Sequence, residues 1–318
     1  MQSSEKVAQM IENVERVMIG KTTEIRLVFV ALLAGGHVLL EDVPGVGKTM
    51  FVKAVARTIG GSFKRIQFTP DLLPSDVTGF SFYNQHHGQF EFRPGPIMGN
   101  VVLADEVNRT SPKTQAALLE ALEEGYVTVD GTTRQIEAPF FVMATQNPIE
   151  YAGTFPLPEA QLDRFLLKIA VGYPTFTEEL ALLDRVMHEH PIAALESVMT
   201  PEDIVHLQRA VKHVYLAEEV KSYLVQIIQA TRFDPHIELG ASPRAAIALM
   251  RVSQAYAFSM GRTYVKPDDV KAVTPYVLNH RIRLKQERRH REMRPETVIE
   301  QLLAQIEVPV MIKEKVSL

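Results

Sequence analysis

A glycine-rich segment near the start of the chain has the residue types and spacing of a phosphate-binding loop. It spans residues 42–49 and reads DVPGVGKT. Gly45 and Gly47 allow the backbone to curl so that its N–H groups converge on anionic oxygens. Lys48 can then reach the β- and γ-phosphates of a nucleoside triphosphate as a point charge, and Thr49 can place its hydroxyl on Mg²⁺. An ordinary Gly/Pro turn is the alternative interpretation.

The loop departs from its consensus at one position. The pattern G-x-x-x-x-G-K-[ST] has glycine where this chain has Asp42. The first glycine mainly eases the turn, whereas the N–H donors and the lysine follow it. Asp42 therefore weakens the match to the consensus more than it weakens the ability of the loop to bind phosphate. We therefore predict that the loop binds ATP and Mg²⁺. The residues assigned to nucleotide contacts are Pro44, Gly45, Val46, Gly47, Lys48, Thr49 and Met50.

Two acidic residues follow the apolar run VVLA, and we expect them at the carboxyl end of a buried strand. Ligands of doubly wound sheets bind at that end of the strands. Asp105 can hold Mg²⁺ directly or through water, while Glu106 can polarise the water that attacks the γ-phosphate. Asn147, after the run FFVMATQ, can hydrogen-bond the attacking water or the γ-phosphate. Solvated acids and a buried turn asparagine are the respective alternatives.

Short apolar runs alternate with helical patterns through the first half of the chain, as expected for β-α-β units. Residues 23–34 repeat apolar side chains at helical spacing, and Gly35-Gly36 ends that pattern before the first strand. A second helical pattern over residues 50–59 follows the phosphate loop. The predicted strands cover residues 37–41, 63–68, 101–104, 140–145 and 165–170. Together they predict an α/β fold with a parallel, doubly wound sheet.

After Tyr173-Pro174 the strand patterns end and the remaining apolar periodicity is helical. The predicted helices cover residues 178–188, 201–210, 218–231, 243–260 and 267–278. We therefore predict two domains, an α/β domain over residues 1–173 and a smaller, all-helical domain over residues 174–318. The length fits this division, since 318 residues can bury one large core and a smaller one.

The composition excludes several classes of protein. The chain has 34 Lys plus Arg against 38 Asp plus Glu, so its net charge of −4 gives no broad basic field for nucleic acid. It contains no cysteine, which excludes disulfides and thiolate metal sites and suits a reducing compartment. The apolar run over residues 27–40 is too short to span a bilayer, and the sequence start lacks a signal-peptide pattern. We expect a soluble, cytoplasmic protein without membrane insertion.

These segments resemble the AAA+ ATPases, with Walker A at residues 42–49, Walker B at residues 101–106 and sensor 1 at Asn147. The resemblance covers nearly the whole chain and implies a P-loop NTPase domain followed by a helical lid domain. LPEAQLDRF resembles the arginine-finger segment, which assigns Arg164 to the ATP of a neighbouring subunit. GASPRAA resembles sensor 2, which assigns Arg244 to the γ-phosphate from the lid.

The resemblance has consequences for four further side chains or stretches. An arginine at position 164 or 244 would add positive charge where the transferring phosphoryl group develops negative charge, and a helix-surface arginine is the alternative for each. Ile19-Gly20 resembles the adenine-contacting stretch of these ATPases. Arg109, just past the acidic pair, is a weaker candidate for a contact across subunits.

Two predicted hairpins narrow the resemblance to one branch of the superfamily. Residues 71–98 form an insertion with aromatic residues on both sides of Gly88, and residues 126–137 alternate around the turn signal Asp130-Gly131. A helix-2 insertion and a hairpin before sensor 1 are similar to those of MoxR ATPases, magnesium chelatase ATPase subunits and minichromosome maintenance helicases. The segments DEVNRTSPKTQAALLEALEE and ATQNPIEYAGTFPLPEAQLDRF most resemble the MoxR family.

The MoxR resemblance implies an ATP-hydrolysing, chaperone-like factor that forms a homo-oligomer, expected to be a hexameric ring. Its ATP cycle would remodel or help assemble partner proteins, commonly ones with von Willebrand factor A domains. One alternative is a DNA-linked motor that uses the basic tract over residues 280–295, and another is the ATPase subunit of a metal chelatase. Because Glu287 and Glu292 interrupt the tract and it lacks aromatic residues, nucleic acid is not expected as a partner.

The insertion also carries aromatic residues that could grip a protein substrate. Alternating aromatic residues more often pack the two strands of a hairpin against each other, and we favour that interpretation. The residues concerned are Phe82, Tyr83, Phe90 and Phe92.

Overall fold

The computed structural model of the chain describes residues 2–41, 45–146, 154–188, 192, 194–286 and 293–309. The chain divides into two compact units, Met1–Ala210 and Val211–Leu318. The strands of the first unit are β1 Val38–Glu41, β2 Phe63–Gln67, β3 Gly79–Asn84, β4 Gln89–Pro94, β5 Val101–Asp105, β6 Tyr126–Val129, β7 Thr132–Gln135, β8 Phe141–Gln146 and β9 Leu167–Ile169. The helices as far as residue 211 are α1 Gln2–Glu15, α2 Thr22–Leu33, α3 Lys48–Thr58, α4 Pro74–Thr78, α5 Pro112–Glu124, α6 Glu159–Leu162, α7 Phe176–His188 and α8 Pro201–Val211.

Five parallel strands form the central sheet of the first unit, in the order β2-β5-β8-β1-β9. β1, β5 and β8 are short runs of mostly buried apolar residues, as expected for strands that are covered on both faces. The five strands predicted from the sequence are these five, with ends that differ by at most two residues. The predicted α/β fold with a parallel sheet is therefore confirmed.

The carboxyl ends of the central strands meet at one edge of this sheet. The last residues of β1 and β8 are paired with each other. β5 and β8 are paired as far as Ala104 and Ala144, so that Asp105 and Thr145 follow side by side. The phosphate loop leaves β1 at the same edge, which is where ligands bind in open α/β sheets.

His37 fixes the start of β1 from within the core. Its Nδ1 accepts a 3.0 Å hydrogen bond from the N–H of Val142, and its Nε2 lies 3.1 Å from the carbonyl oxygen of Leu122. Because an amide N–H only donates and a carbonyl only accepts, these two bonds require the neutral ring with its proton on Nε2. Burial lowers the pKa of His37 to about 4. The ring thereby joins the first strand to β8 and to the last turn of α5.

Two β-hairpins occupy the connections where the sequence predicts them. β3 and β4 follow α4 and pair antiparallel along their full lengths. β6 and β7 are joined by Asp130 and Gly131, whose φ angles are 51° and 73°. A two-residue type I′ turn requires positive φ at both central residues, which explains why this dipeptide predicts the hairpin.

The aromatic residues of the insertion hairpin pack on each other and on the second hairpin. Tyr83 and Phe90 are opposed in the ladder, and their rings meet edge to face with centroids 5.4 Å apart. Arg134 of β7 places its guanidinium carbon 4.0 Å from the ring centroid of Phe92. Phe90 nevertheless has 76% of its surface exposed. A substrate contact of this hairpin stays a prediction.

The second unit is mainly helical. Within the described residues, its longer helices are α9 Glu218–Phe233, α10 Pro243–Ser259, α11 Pro267–Leu278 and α12 Pro295–Gln305. It also contains a short antiparallel ladder of β10 Ile237–Leu239 and β11 Arg283–Leu284. The expectation that strands end before residue 174 is wrong for these two, because strands of three and two residues are too short to produce an alternating pattern.

The division between the two units falls later in the chain than the predicted boundary after residue 173. Helix α8 and the segment before it hydrogen-bond to the first helices of the chain. Asn13 of α1 donates a 3.0 Å bond to the carbonyl of Glu196, and Gln208 of α8 donates a 2.7 Å bond to the carbonyl of Leu32. These bonds explain why residues 174–210 belong to the compact first unit.

None of the helices in the described ranges is both long and apolar enough to cross a bilayer.

Candidate active site

The phosphate loop connects β1 to α3 and imposes backbone angles that favour glycine. Gly45 and Gly47 have φ angles of 92° and 84°, which residues with a side chain rarely adopt. Gly47 is the N-cap of α3, so the loop ends at a helix start, whose first N–H groups have no acceptor within the helix itself. These groups and the helix dipole attract anions. Lys48 and Thr49 are the first two residues of the helix and are half-buried.

Asp105, at the end of β5, is held from both sides. Thr145 of β8 donates a 2.7 Å hydrogen bond from its hydroxyl to one carboxylate oxygen. Arg65 of β2 forms a 2.6 Å ion pair with the other oxygen. The Asp105 side chain is only 14% exposed. Its carboxylate is therefore fixed in position at the sheet edge and is still reachable from solvent.

Glu106 has a backbone conformation that is rare for residues other than glycine. Its φ and ψ are 59° and 49°, in the left-handed region. Its N–H donates a 2.8 Å hydrogen bond to the hydroxyl of Thr145, which stabilises this conformation. Its carboxylate accepts bonds of 2.8 Å from Gln67 and 2.9 Å from Arg109. Strained backbone of this kind is concentrated at functional sites.

Three residues that sequence reasoning missed complete this network. Arg65 and Gln67 lie two residues apart on β2 and therefore point to the same face. The guanidinium of Arg65 donates to the side-chain oxygen of Gln67 at 2.6 Å, which turns the amide nitrogen of Gln67 toward Glu106. Thr145 is the third. The available signal was the polar pattern KRIQ on a strand of the predicted sheet.

The stretch around Ile19 and Gly20 lies beside the phosphate loop. A Cβ atom at Gly47 would be 3.9 Å from Cε of Met18, the residue before Ile19. Gly20 has a φ of 74°, and a Cβ there would overlap the carboxylate of Glu178. The predicted adenine-contacting stretch therefore lies beside the loop. A side chain at position 20 would overlap Glu178 and disturb the backbone of this stretch.

Arg164 lies at the surface of the first unit, beside α5. It follows α6 and forms a 3.2 Å ion pair with Glu123 near the end of α5. Its side chain is 28% exposed and lines a surface cavity of about 200 Å³ together with residues of α5. Arg109, in contrast, pairs with Glu106 of its own chain.

Four further residues were named in the sequence analysis. Arg244 is exposed in the second unit, where it is the second residue of α10 after the capping Ser242. Asp42, Pro44 and Asn147 lie outside the described residues.

The oxygen ligands at this edge fit magnesium. The carboxylate of Asp105 and the hydroxyl of Thr49 are hard donors of the kind that Mg²⁺ prefers. Within the described ranges, His, Cys, Asp and Glu side chains form no group of three that could enclose a metal ion. Mg²⁺ suits such an incomplete protein site, since it usually keeps several waters and binds substrate phosphates with only one or two protein ligands.

Known proteins resemble this chain in both units. The family model described as ATPase family associated with various cellular activities (AAA) matches residues 37–167, and the AAA lid domain model matches residues 229–302. Uncharacterized protein YeaC of Bacillus subtilis (strain 168) is 58% identical over 300 residues, which cover 94% of each chain. Chaperone MoxR1 of Mycobacterium tuberculosis (strain H37Rv) is 41% identical over 308 residues, which cover 94% of this chain and 81% of MoxR1.

A solved structure agrees with these sequence similarities. The crystal structure of a candidate ATPase from Cytophaga hutchinsonii has a TM-score of 0.91 and 40% identity, and the match covers 97% of this chain and 96% of that one. The similarity to MoxR1 likewise extends over almost the whole length of this chain, through the phosphate loop, the acidic pair and the lid. The chain therefore belongs to the MoxR family of AAA+ ATPases.

Proposed function

We propose that this chain binds ATP with Mg²⁺ and hydrolyses it to ADP and phosphate. The observation that carries the proposal is the position of the Thr145 hydroxyl, which contacts both the carboxylate of Asp105 and the backbone N–H of Glu106. The two carboxylates are thus held separately at the sheet edge from which the phosphate loop begins. Two carboxylates in different surroundings can serve as a cation ligand and as a base.

Each of these side chains has a task that its chemistry permits. The N–H groups of residues 45–47 and the ammonium of Lys48 bind the phosphates. Thr49 and Asp105 hold Mg²⁺, which when bound neutralises negative charge on the β- and γ-phosphates. Glu106 accepts a proton from the water that attacks the γ-phosphate, and Asn147 orients that water.

The site is completed by assembly in this proposal. Arg164 acts on the ATP of a neighbouring subunit, and its partly exposed position on the surface of the first unit supports this role. Arg244 contacts the γ-phosphate from the lid, and Ile19-Gly20 contacts the adenine. The assembly is a homo-oligomeric ring, which we take to be hexameric. A lone monomer should therefore be a poor ATPase.

The energy of hydrolysis is used on partner proteins, among them proteins with von Willebrand factor A domains. The similar Mycobacterium protein is named a chaperone, which supports this role. The DNA-linked alternative depends on the basic tract over residues 280–295, whose described part has contacts inside the second unit. Arg281 is 8% exposed and donates to the carbonyl of Val277, while Arg283 pairs with Glu238 at 3.2 Å. These arginines are thus engaged within the protein.

Phosphate release by the purified full chain tests the activity. With ATP and Mg²⁺, the wild-type protein should release phosphate and Lys48→Ala should not. Single- or double-stranded DNA should leave the rate unchanged over a range of salt concentrations in which DNA binding would vary. The ATPase proposal would be contradicted by a wild-type protein that releases no phosphate at any protein concentration. A rate that rises with DNA would instead favour the DNA-linked motor.

A capture experiment tests the partner. Glu106→Gln protein loaded with ATP should retain a protein with a von Willebrand factor A domain, and Lys48→Ala protein, which cannot hold ATP, should not. Equal retention by both variants would argue against an ATP-dependent partner. A larger chelatase subunit in place of the expected partner would support the metal-chelatase alternative.

A further inference from the structure

Gln115 makes an unusual set of hydrogen bonds within the first unit. It lies in the first turn of α5 and is 1% exposed. Its side-chain nitrogen lies 3.1 Å from the carbonyl oxygen of Val107, 3.3 Å from that of Thr110 and 3.0 Å from that of Phe155. Since all three partners can only accept, the NH₂ group of the amide must face them. One buried side chain thus contacts two separate segments of backbone.

The first of these segments carries Glu106. Val107 begins the 3-10 helix Val107–Arg109, which follows Glu106 directly, and Thr110 ends it. The N–H of Arg109 donates a 2.9 Å bond to the carbonyl of Glu106, so the backbone of Glu106 is part of this hydrogen-bonded turn. Gln115 therefore holds both ends of the turn that positions the proposed base.

The second segment leads to Arg164. The N–H of Phe155 donates a 2.7 Å bond to the carbonyl of Asn108, so the two segments also touch directly. Downstream, the carbonyl of Pro158 accepts the N–H groups of Gln161 and Leu162 in α6, and the N–H of Arg164 donates a 3.2 Å bond to the carbonyl of Gln161. These hydrogen bonds hold together the short stretch of backbone between Phe155 and Arg164, the proposed arginine finger.

We infer that Gln115 is a positioning residue that couples Glu106 to Arg164 within one chain. If the turn after Glu106 shifts when nucleotide binds, the buried amide moves the Phe155 segment with it, because leaving these carbonyls without a donor is unfavourable. The nucleotide state of one subunit then changes the arginine that this subunit offers to its neighbour. The inference rests on the proposed role of Arg164 and adds a connection between the two sites.

Thr114 provides a matched control for a merely structural role. It is the preceding residue, it is also 1% exposed, and its hydroxyl donates a 2.8 Å bond to the carbonyl of Leu72. Thr114→Val therefore removes a buried side-chain donor from the same helical turn and leaves the Gln115 bonds to both segments in place, although it also removes a 3.3 Å contact with the hydroxyl of the capping Ser111. Gln115→Met removes the amide donor at similar volume, and Gln115→Glu keeps the shape but carries no N–H, so two variants are available should one fail to fold.

The test combines these variants with Arg164→Ala and measures phosphate release at saturating ATP. Gln115→Met should lower turnover by about tenfold in the wild-type background and by only about threefold in the Arg164→Ala background, because the effect that passes through Arg164 is then absent and only the effect on the turn after Glu106 remains. Thr114→Val should have the same effect in both backgrounds. An equal loss from Gln115→Met in both backgrounds would overturn the inference.

Amide hydrogen exchange of residues 155–165 gives a readout independent of turnover. In the wild-type and Thr114→Val proteins, a non-hydrolysable ATP analogue should change the amide exchange rates of residues 155–165 by at least about twofold. In both Gln115 variants, the analogue should leave these rates unchanged. A change retained in the Gln115 variants would contradict the coupling. Wild-type turnover in the Arg164→Ala protein would contradict the proposed role of Arg164 and not the coupling. The exchange measurement would then still test whether Gln115 connects the two segments.

Discussion

The hydroxyl of Thr145 donates a 2.7 Å hydrogen bond to the carboxylate of Asp105 from the neighbouring strand. The same oxygen accepts the N–H of Glu106 at 2.8 Å. A single buried oxygen therefore fixes the carboxylate of the first acid and the left-handed backbone of the second. The two acids are adjacent in sequence, and this contact is what gives them different surroundings.

Thr145→Val should damage both acids at once. Valine has nearly the shape of threonine, but it leaves the partly buried N–H of Glu106 without its acceptor. Such a loss lowers the free energy of unfolding by about 1–3 kcal/mol, and we expect turnover to fall as well because Asp105 and Glu106 are no longer held. Thermal unfolding and phosphate release measure the two effects. Thr145→Ser retains the hydroxyl and should stay close to wild type, and a Val variant as active as the Ser variant would contradict this role.

Gln67→Leu should lower turnover without weakening ATP binding. The variant removes the 2.8 Å hydrogen bond that orients the Glu106 carboxylate, and it keeps the bond from Arg109. We expect a loss of roughly threefold to tenfold in turnover, the effect of one charge-assisted hydrogen bond of modest strength. Lys64→Ala changes another exposed residue of β2 and is the control. Equal turnover in the Gln67 and Lys64 variants would show that Gln67 does not position Glu106.

Mild acid should destabilise the first unit through His37. Its pKa is lowered to about 4 in the folded chain, against roughly 6.5 when unfolded. The unfolded chain therefore binds the extra proton first, so stability is constant above about pH 6.5 and falls as the pH drops toward 4. Between about pH 7 and pH 5 this group alone should lower the free energy of unfolding by on the order of 2 kcal/mol.

Urea unfolding at the two pH values measures this dependence. His37→Gln keeps a donor and an acceptor but cannot be protonated in this range, so its loss of stability between the two pH values should be smaller by that amount. The same loss in both proteins would show that another group is responsible.

The central strands could be predicted from the sequence for a simple physical reason. β1, β5 and β8 are buried on both faces, so they read as continuous apolar runs, and the polar residues that end them mark the carboxyl edge. Asp130-Gly131 predicts its hairpin because few other dipeptides accept two positive φ angles. The ladder of β10 and β11 could not be predicted, since two and three residues are too few for a period.

The partners of the acidic pair could not be predicted because they depend on register. Gln67 lies beside Asp105 only because β2 and β5 pair in that alignment, and sequence periodicity does not give the alignment between strands. In the sequence, Thr145 cannot be distinguished from the other β-branched residues that are typical of strands. Its importance follows from its position one residue past the last pair of β5 and β8. The position of Glu106 directly after β5 was predictable, but its left-handed backbone was not.

Mixing variants should show whether Arg164 acts across subunits. Arg164→Ala protein has intact loops but no finger, while Lys48→Ala protein has the finger but cannot bind ATP productively. If the ring is formed from both, some sites combine an intact loop with an intact Arg164, and the mixture should recover part of the activity that each variant lacks. Lys48→Ala mixed with Glu106→Gln is the control, since neither chain then offers a complete loop and base. Absence of rescue in the first mixture would argue for action within one chain.

The central claim is that Glu106 is the base of an ATPase site, and the most direct measurement compares ATP binding with turnover in Glu106→Gln. The amide retains the shape of the side chain and cannot accept the proton, so the variant should bind ATP with a dissociation constant within about threefold of wild type. Its turnover should fall by at least about 100-fold, while Glu137→Gln, at an exposed carboxylate of the same unit, should leave both values unchanged. Turnover of Glu106→Gln within a few-fold of wild type would contradict the account.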